Sequence, residues 1–229
     1  MTDEQKELLK KISVNEEKIE EGQLYEWQKE VLNQYDYAMN YLQKKYPGYV
    51  FHIVDCDQKN NLNTYTTFTF TEEKNEELFD LYLYVNEEQE EKYTAKDNFY
   101  GVLLAEPYAT AFLQKIRESF PQCVAARAEM VTVQGEEINA GTDVSNILSG
   151  SLKITNNVTI YVDGNEISDC DKTASEIEEY VHKQQIYGSY CVFVCKGDLP
   201  DTAEAFREKI VAEGKSAYEV KRLFQEFLD

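Results

Sequence analysis

The chain has 229 residues, 42% of them hydrophobic and 13% aromatic, which is ample for a packed core and too apolar for a disordered chain. Asp and Glu number 43 against 23 Lys and Arg, a formal net charge of -20 at pH 7. That charge repels phosphate backbones and anionic lipid surfaces, so neither direct nucleic-acid binding nor membrane docking is expected. It suits solubility, a basic partner or cation binding.

No apolar run approaches the ~20 residues of a membrane span. The first 22 residues, MTDEQKELLKKISVNEEKIEEG, are charged throughout and hold no apolar signal core. Five cysteines, Cys56, Cys123, Cys170, Cys191 and Cys195, form an odd and scattered set. They do not read as a disulfide framework, so a reducing cytoplasm is the expected compartment.

In residues 1–22, Leu8, Leu9, Ile12 and Ile19 give a thin helical stripe, read as a polar N-terminal arm or helix. The first strong helix follows, with Leu24, Trp27, Val31, Tyr35, Ala38 and Leu42 at three- and four-residue steps. Pro47-Gly48 ends it. Tyr49 to Val54 is a β-prone run, and DCDQKNNLN reads as a loop. Thr64 to Thr71 alternates, with Phe68 and Phe70 on one face and Tyr65, Thr67 and Thr69 on the other. EEKNEE is a turn. In Leu78 to Val85, Phe79, Leu81, Leu83 and Val85 share a face. The chain therefore begins with an α-β-β-β unit, an antiparallel meander against a helix.

NEEQEEKYTAKD is a polar connector, and a helical turn is expected over 98–104. Pro107 stands where a new helix can begin, marked by Ala109, Phe112, Leu113 and Ile116. The strand predicted at Cys123–Val133 turns Val124, Ala126, Ala128 and Met130 inward. Gln134–Gly141 reads as a loop and 142–148 as a short helix. From Leu152 to Val162 the alternation fits one strand, or a hairpin turning at Asn156-Asn157. A helix follows at 172–187. Tyr190 to Cys195 is apolar on both faces, as a central strand is. Two helices are predicted to close the chain, one on Phe206 and Ile210, the other on Val220, Phe224 and Phe227.

The expected class is thus α+β, with mainly antiparallel sheet packed against helices. Residues 23–229 read as a single domain that can divide into two lobes, 23–95 and 96–229, at a soft boundary near 86–97 or 134–142.

Chemistry-bearing patterns are sparse. Of the two histidines, His52 sits in a strand pattern and His182 on a helix, which limits His-based acid–base work. Cys191 and Cys195 share a strand face but lie roughly 13 Å apart, beyond pairing or shared ligation. Two acidic loops, Asp55–Asn60 and Asp163–Asp171, fail the EF-hand pattern: Lys59 takes a ligand position, Asn60 the glycine position, and Thr66, Ala174 or Tyr180 the closing glutamate. No glycine-rich phosphate loop, GxSxG or HExxH occurs. No metal, cofactor or catalytic residue is assigned from sequence.

Tyrosines in polar segments, Tyr25, Tyr93, Tyr100, Tyr108 and Tyr187, either edge the core or furnish an interaction surface. The leading expectation is a non-enzymatic, acidic, protein-binding protein of the inhibitor or immunity type, with a basic partner. One alternative is an enzyme or small-molecule binder whose pocket gathers Asp55, Asp57, His52 or Cys123 at its mouth. Another is a structural subunit with one large exposed apolar patch.

Overall fold

The alternating runs YTTFTFTE and LFDLYLYV build the first sheet. The computed structural model describes residues 1–60, 64–74, 77–86, 91–135, 138–139, 141–152 and 154–226, with only the backbone of 131–135 and 155. The chain forms two units, Met1–Phe99 and Tyr100–Asp229.

In the first unit, α1 (Asp3–Lys11) and α2 (Glu16–Glu20) precede α3 (Glu26–Lys45). Thr2 and Gln5 cap α1 reciprocally. The polar first 22 residues bury Leu8, Leu9 and Ile19. The buried stripe of α3 runs through Gln28, Val31, Tyr35, Ala38 and Leu42, while Trp27 stays exposed. Four strands follow as an antiparallel meander: β1 (Phe51–Asp57), β2 (Tyr65–Glu72), β3 (Leu78–Val85) and β4 (Tyr93–Asp97). The α-β-β-β start is present, extended by β4, which lies in the stretch read as a polar connector. Its short alternation places Tyr93, Ala95 and Asp97 on the inner face beside Val85, Leu83 and Leu81.

The inner face carries Phe51, Phe68, Phe70, Phe79, Leu81 and Leu83, all buried. Helix α3 lies on that side. Tyr46 at its end meets Phe51 and Phe99 with ring centroids 6.0 and 4.9 Å apart. The Asp97 carboxylate, 0% exposed, accepts hydrogen bonds from Tyr41 at 2.9 Å, Lys45 at 2.8 Å, the Phe99 amide at 3.0 Å, and the Tyr46 hydroxyl.

The second unit holds α4, which runs Phe99–Arg117, then β5 (Cys123–Gly135), α5 (Val144–Leu148), β6 (Ile154–Asp163), α6 (Cys170–Gln184), β7 (Gly188–Cys195), α7 (Ala203–Glu213) and β8 (Val220–Glu226). The sheet order is β5-β6-β7-β8. Strands β6 and β7 are parallel, joined through α6; the other two pairings are antiparallel. Residues of α4 and α6 cover one face: Tyr108, Phe112 and Ile116 pack in one core with Ala174, Ile177 and Val181. Helix α7 covers the opposite face, where Phe206 stacks on Tyr161 at 4.8 Å.

The α+β class with mainly antiparallel sheet is what the residue pattern predicted. Three further local expectations change, and one open alternative closes. Pro107 lies inside α4, which begins earlier, at Phe99. Residues 154–163 form one strand, and Asn156 is buried in it, donating to the Tyr108 hydroxyl at 3.1 Å. In β5 an irregularity between Cys123 and Ala125 turns Val124 to the α7 side, away from Ala126, Ala128 and Met130. The second of the two predicted closing helices is strand β8. Val220 and Phe224 are four apart, a spacing shared by a helix face and a strand face. The strand prevails because Phe224 reaches Tyr190 of β7, ring centroids 5.0 Å apart. Phe227 lies outside the described residues, as do parts of the loops at 61–63, 75–76, 87–90 and 136–140.

Candidate functional site

The first unit's sheet has a second face, opposite its aromatic core, where His52 lies 3.7 Å from Glu4 of α1. Strand pairing sets its rows. Asp57 of β1 aligns with Thr67 of β2, Tyr82 of β3 and Lys96 of β4. Asp55 aligns with Thr69 and Asp80, His52 with Thr71 and Leu78, and Tyr65 with Tyr84 and Thr94. Three carboxylates and three tyrosines thus share one face over a floor of threonines.

An irregularity in β1 creates this arrangement. The register slips between Ile53 and Asp55, so Val54 is an extra residue. Simple alternation from His52 would aim Asp55 and Asp57 into the core and Cys56 outward. The bulge inverts that order. Asp55 and Asp57 are exposed, and Cys56 is buried at 6%. Burying two carboxylates in an aromatic core carries a large desolvation penalty, which the bulge avoids.

The side chains are organised locally. The Tyr65 ring meets Tyr82 at 5.3 Å, edge to face, and Tyr84 at 5.4 Å. Thr69 donates to Asp80 at 2.8 Å, and the Asp55 carboxylate accepts from the Cys56 amide at 2.8 Å. Burial, then the negative charge of Asp80, pushes the Tyr82 hydroxyl up to about 12. At neutral pH Tyr82 is therefore an uncharged ring carrying a donor. Helix α1 closes the free edge of β1: Glu4 accepts from the Ile53 amide at 2.9 Å, and Lys11 donates to the Val54 carbonyl at 2.8 Å. The sheet's outward face also carries Leu78 of β3, 57% exposed.

Of the residues singled out from sequence, the structure brings His52, Asp55 and Asp57 onto this one face. Cys123 belongs to the other unit and is 0% exposed, its thiol pushed up to about 12 by burial. His182 on α6 contacts Glu226 through Nδ1 and lies 3.7 Å from Glu178. Cys191 and Cys195 pack on the α7 side, and all five cysteines are free thiols. In the second acidic loop, Asp163 accepts from the Asn165 amide and Asp169 caps α6 through the Lys172 amide, both at 2.9 Å. Among the described residues, no group of three His, Cys, Asp or Glu is placed to hold a metal ion.

The tyrosines divide differently from their sequence context. Tyr25 is exposed and meets Lys18, Tyr93 donates to Glu30 at 2.8 Å, and Tyr187 is half-buried. Tyr108 is fully buried, and Tyr100 packs against the same core. The surface cluster is Tyr65, Tyr82 and Tyr84, whose signal was their alternation with Phe and Leu rather than a polar neighbourhood.

A shallow groove of about 190 Å³ lies beside α7 in the second unit, lined by Arg127, Tyr161 and Phe193 of the sheet and Arg207, Ile210 and Val211 of the helix. It contains none of His52, Asp55, Asp57 and Cys123. Its guanidinium groups are already engaged, Arg207 with Glu204 at 2.6 Å and Arg127 with Glu129.

No described helix is long and apolar enough to cross a membrane. The chain matches no family model, no curated protein and no solved structure.

Proposed function

We propose that this chain is a non-enzymatic protein-binding protein whose first unit receives a basic partner on the outer face of its sheet. The observation that supports the reading is the joint placement of Asp55, Asp57 and Asp80 with Tyr65, Tyr82 and Tyr84 on the sheet face opposite that unit's aromatic core. Tyrosine supplies contact area with a polar tip, and carboxylates supply charge complementary to Lys and Arg. The excess of acid over base runs through both units. The long-range field therefore steers a cationic partner towards the molecule, and the face supplies short-range contact. Inhibition of a basic enzyme, such as a nuclease or a toxin, is the role in keeping with this chemistry. The proposal places the chain in the cytoplasm, where five free thiols stay reduced.

The test is affinity capture with the immobilised full chain at low and high salt, alongside the Asp55→Asn/Asp57→Asn/Asp80→Asn variant checked for native circular dichroism. A basic protein retained at low salt, released at high salt and lost from the variant supports the reading. Salt-indifferent retention, or equal retention by the variant, refutes it.

A further inference from the structure

The outer face of the first sheet is not level. The outward residues of β2 are Thr67, Thr69 and Thr71, all short. On the β1 side stand Asp55 and Asp57; on the β3 side stand Asp80 and Tyr82. Adjacent strands lie about 4.8 Å apart, so these two walls are separated by about 10 Å across the threonine floor. Tyr65, packed against both Tyr82 and Tyr84, closes one end.

We propose that this trough receives an arginine side chain of the partner, its guanidinium stacked on the Tyr65–Tyr82–Tyr84 cluster and its N–H groups donated to Asp80 and Asp57. This rests on the basic-partner reading above. Charge complementarity commits the occupant to a cation, and the shape and chemistry of the walls commit that cation to guanidinium. A guanidinium is planar and weakly hydrated, so it lies on an aromatic face while its edge donates to carboxylates on either side. A lysine ammonium is a compact, strongly hydrated point charge, which gains less from a ring and cannot span two carboxylates with a planar fork. Thr69, donating to Asp80 at 2.8 Å, holds one wall carboxylate in place before the partner arrives. Lys96, exposed and aligned with Tyr82, is a cation that opposes such a ligand on this face.

The experiment uses the full chain and two synthetic nonapeptides, one of alternating Arg and Ser and one with Lys in place of each Arg. Calorimetry at low salt gives affinities, and NMR reports the tyrosine ring signals. The expected result is Arg-peptide binding about fivefold or more tighter than Lys-peptide binding, the size of one cation–π contact. Tyr82→Phe keeps that preference because the ring remains. Tyr82→Leu removes it, and Asp80→Asn weakens the Arg peptide by a similar factor. Lys96→Ala, a surface change that leaves the packing intact, tightens both peptides. Equal affinities for the two peptides, released together by salt, overturn the arginine assignment while the basic-partner reading stands. Binding of neither peptide at low salt overturns both. An Arg preference that survives Tyr82→Leu also overturns the assignment, because the selectivity then comes from elsewhere.

Discussion

Replacing Asp97 with alanine removes the acceptor on which the end of α3 and the end of β4 converge. Its carboxylate, 0% exposed, takes hydrogen bonds from Tyr41, Tyr46, Lys45 and the Phe99 amide. Breaking a fully buried ion pair by deleting one partner costs about 3–5 kcal/mol. The Lys45 side chain retains 21% exposure and can turn part of its charge to water, which lowers its share. The Tyr46 hydroxyl, in a residue only 2% exposed, has no such outlet to solvent, and a lost bond to a charged acceptor costs about 1.5–3 kcal/mol. The expected destabilisation is about 3 kcal/mol for Asp97→Ala and about half that for Asp97→Asn, which still accepts but carries no charge. Trp27 is the chain's single tryptophan and lies in the first unit, so its fluorescence in a urea titration reports that unit directly. Lys29→Ala is the control: its partner Glu26 is 91% exposed and the pair lies on the surface, so the change is within about 0.5 kcal/mol. An Asp97→Ala loss below about 1 kcal/mol, at unchanged m-value, refutes the account of Asp97 as the tie between helix and sheet.

Gly188→Ala places a Cβ 2.2 Å from Asn156 Oδ1 and 2.7 Å from the Asn156 carbonyl oxygen, so β6 and β7 must part; thermal unfolding is expected to drop by several degrees, and an unchanged midpoint refutes that close approach. Alkaline pH destabilises the protein. Burial pushes the Cys56 and Cys123 thiols up to about 12, and Tyr41 and Tyr161 likewise. The unfolded chain ionises these groups near about 8.5 and 10, so it binds fewer protons than the native state between those values and 12. Their contribution is complete below about pH 8.5 and is lost as pH rises towards 12; a urea midpoint rising from pH 9 to 10.5 contradicts this sign. With a thiol reagent at pH 8, Cys56 and Cys123, 6% and 0% exposed, label only on unfolding, whereas the partly exposed Cys191 reacts in the native state. Mass spectrometry of the labelled peptides settles the order, and rapid native labelling of Cys123 contradicts its burial.

Much of the fold is legible where one period dominates. In β2 and β3 the aromatic and aliphatic residues alternate without interruption, and the structure buries Phe68, Phe70, Phe79, Leu81 and Leu83 together. The stripe of α3 is equally clear from Val31 to Leu42; only at its start does Gln28 replace the exposed Trp27, because capping ties Gln28 to the Tyr25 amide at 2.8 Å. Elsewhere the pattern admits two answers. Val220 and Phe224 satisfy both periods, and only pairing with β7 makes that segment a strand. Asn156-Asn157 offers a turn, but β5 and β7 hydrogen-bond along both sides of β6 and draw the pair into the sheet.

The amino-acid pattern by itself determined the acid excess, the α+β class and the rings of β2 and β3 that must face away from the core. It named Asp55, Asp57 and His52 without a reason for them to act together. What put them on one face with Tyr65, Tyr82 and Asp80 is the extra residue Val54. A strand alternates strictly until its hydrogen-bonding partner slips by one, and that slip depends on β2 lying alongside. The core beneath β1 is aromatic, so a register that buries Cys56 and exposes two carboxylates is lower in energy than its opposite. That choice belongs to the pair of strands, and a single strand's sequence does not contain it.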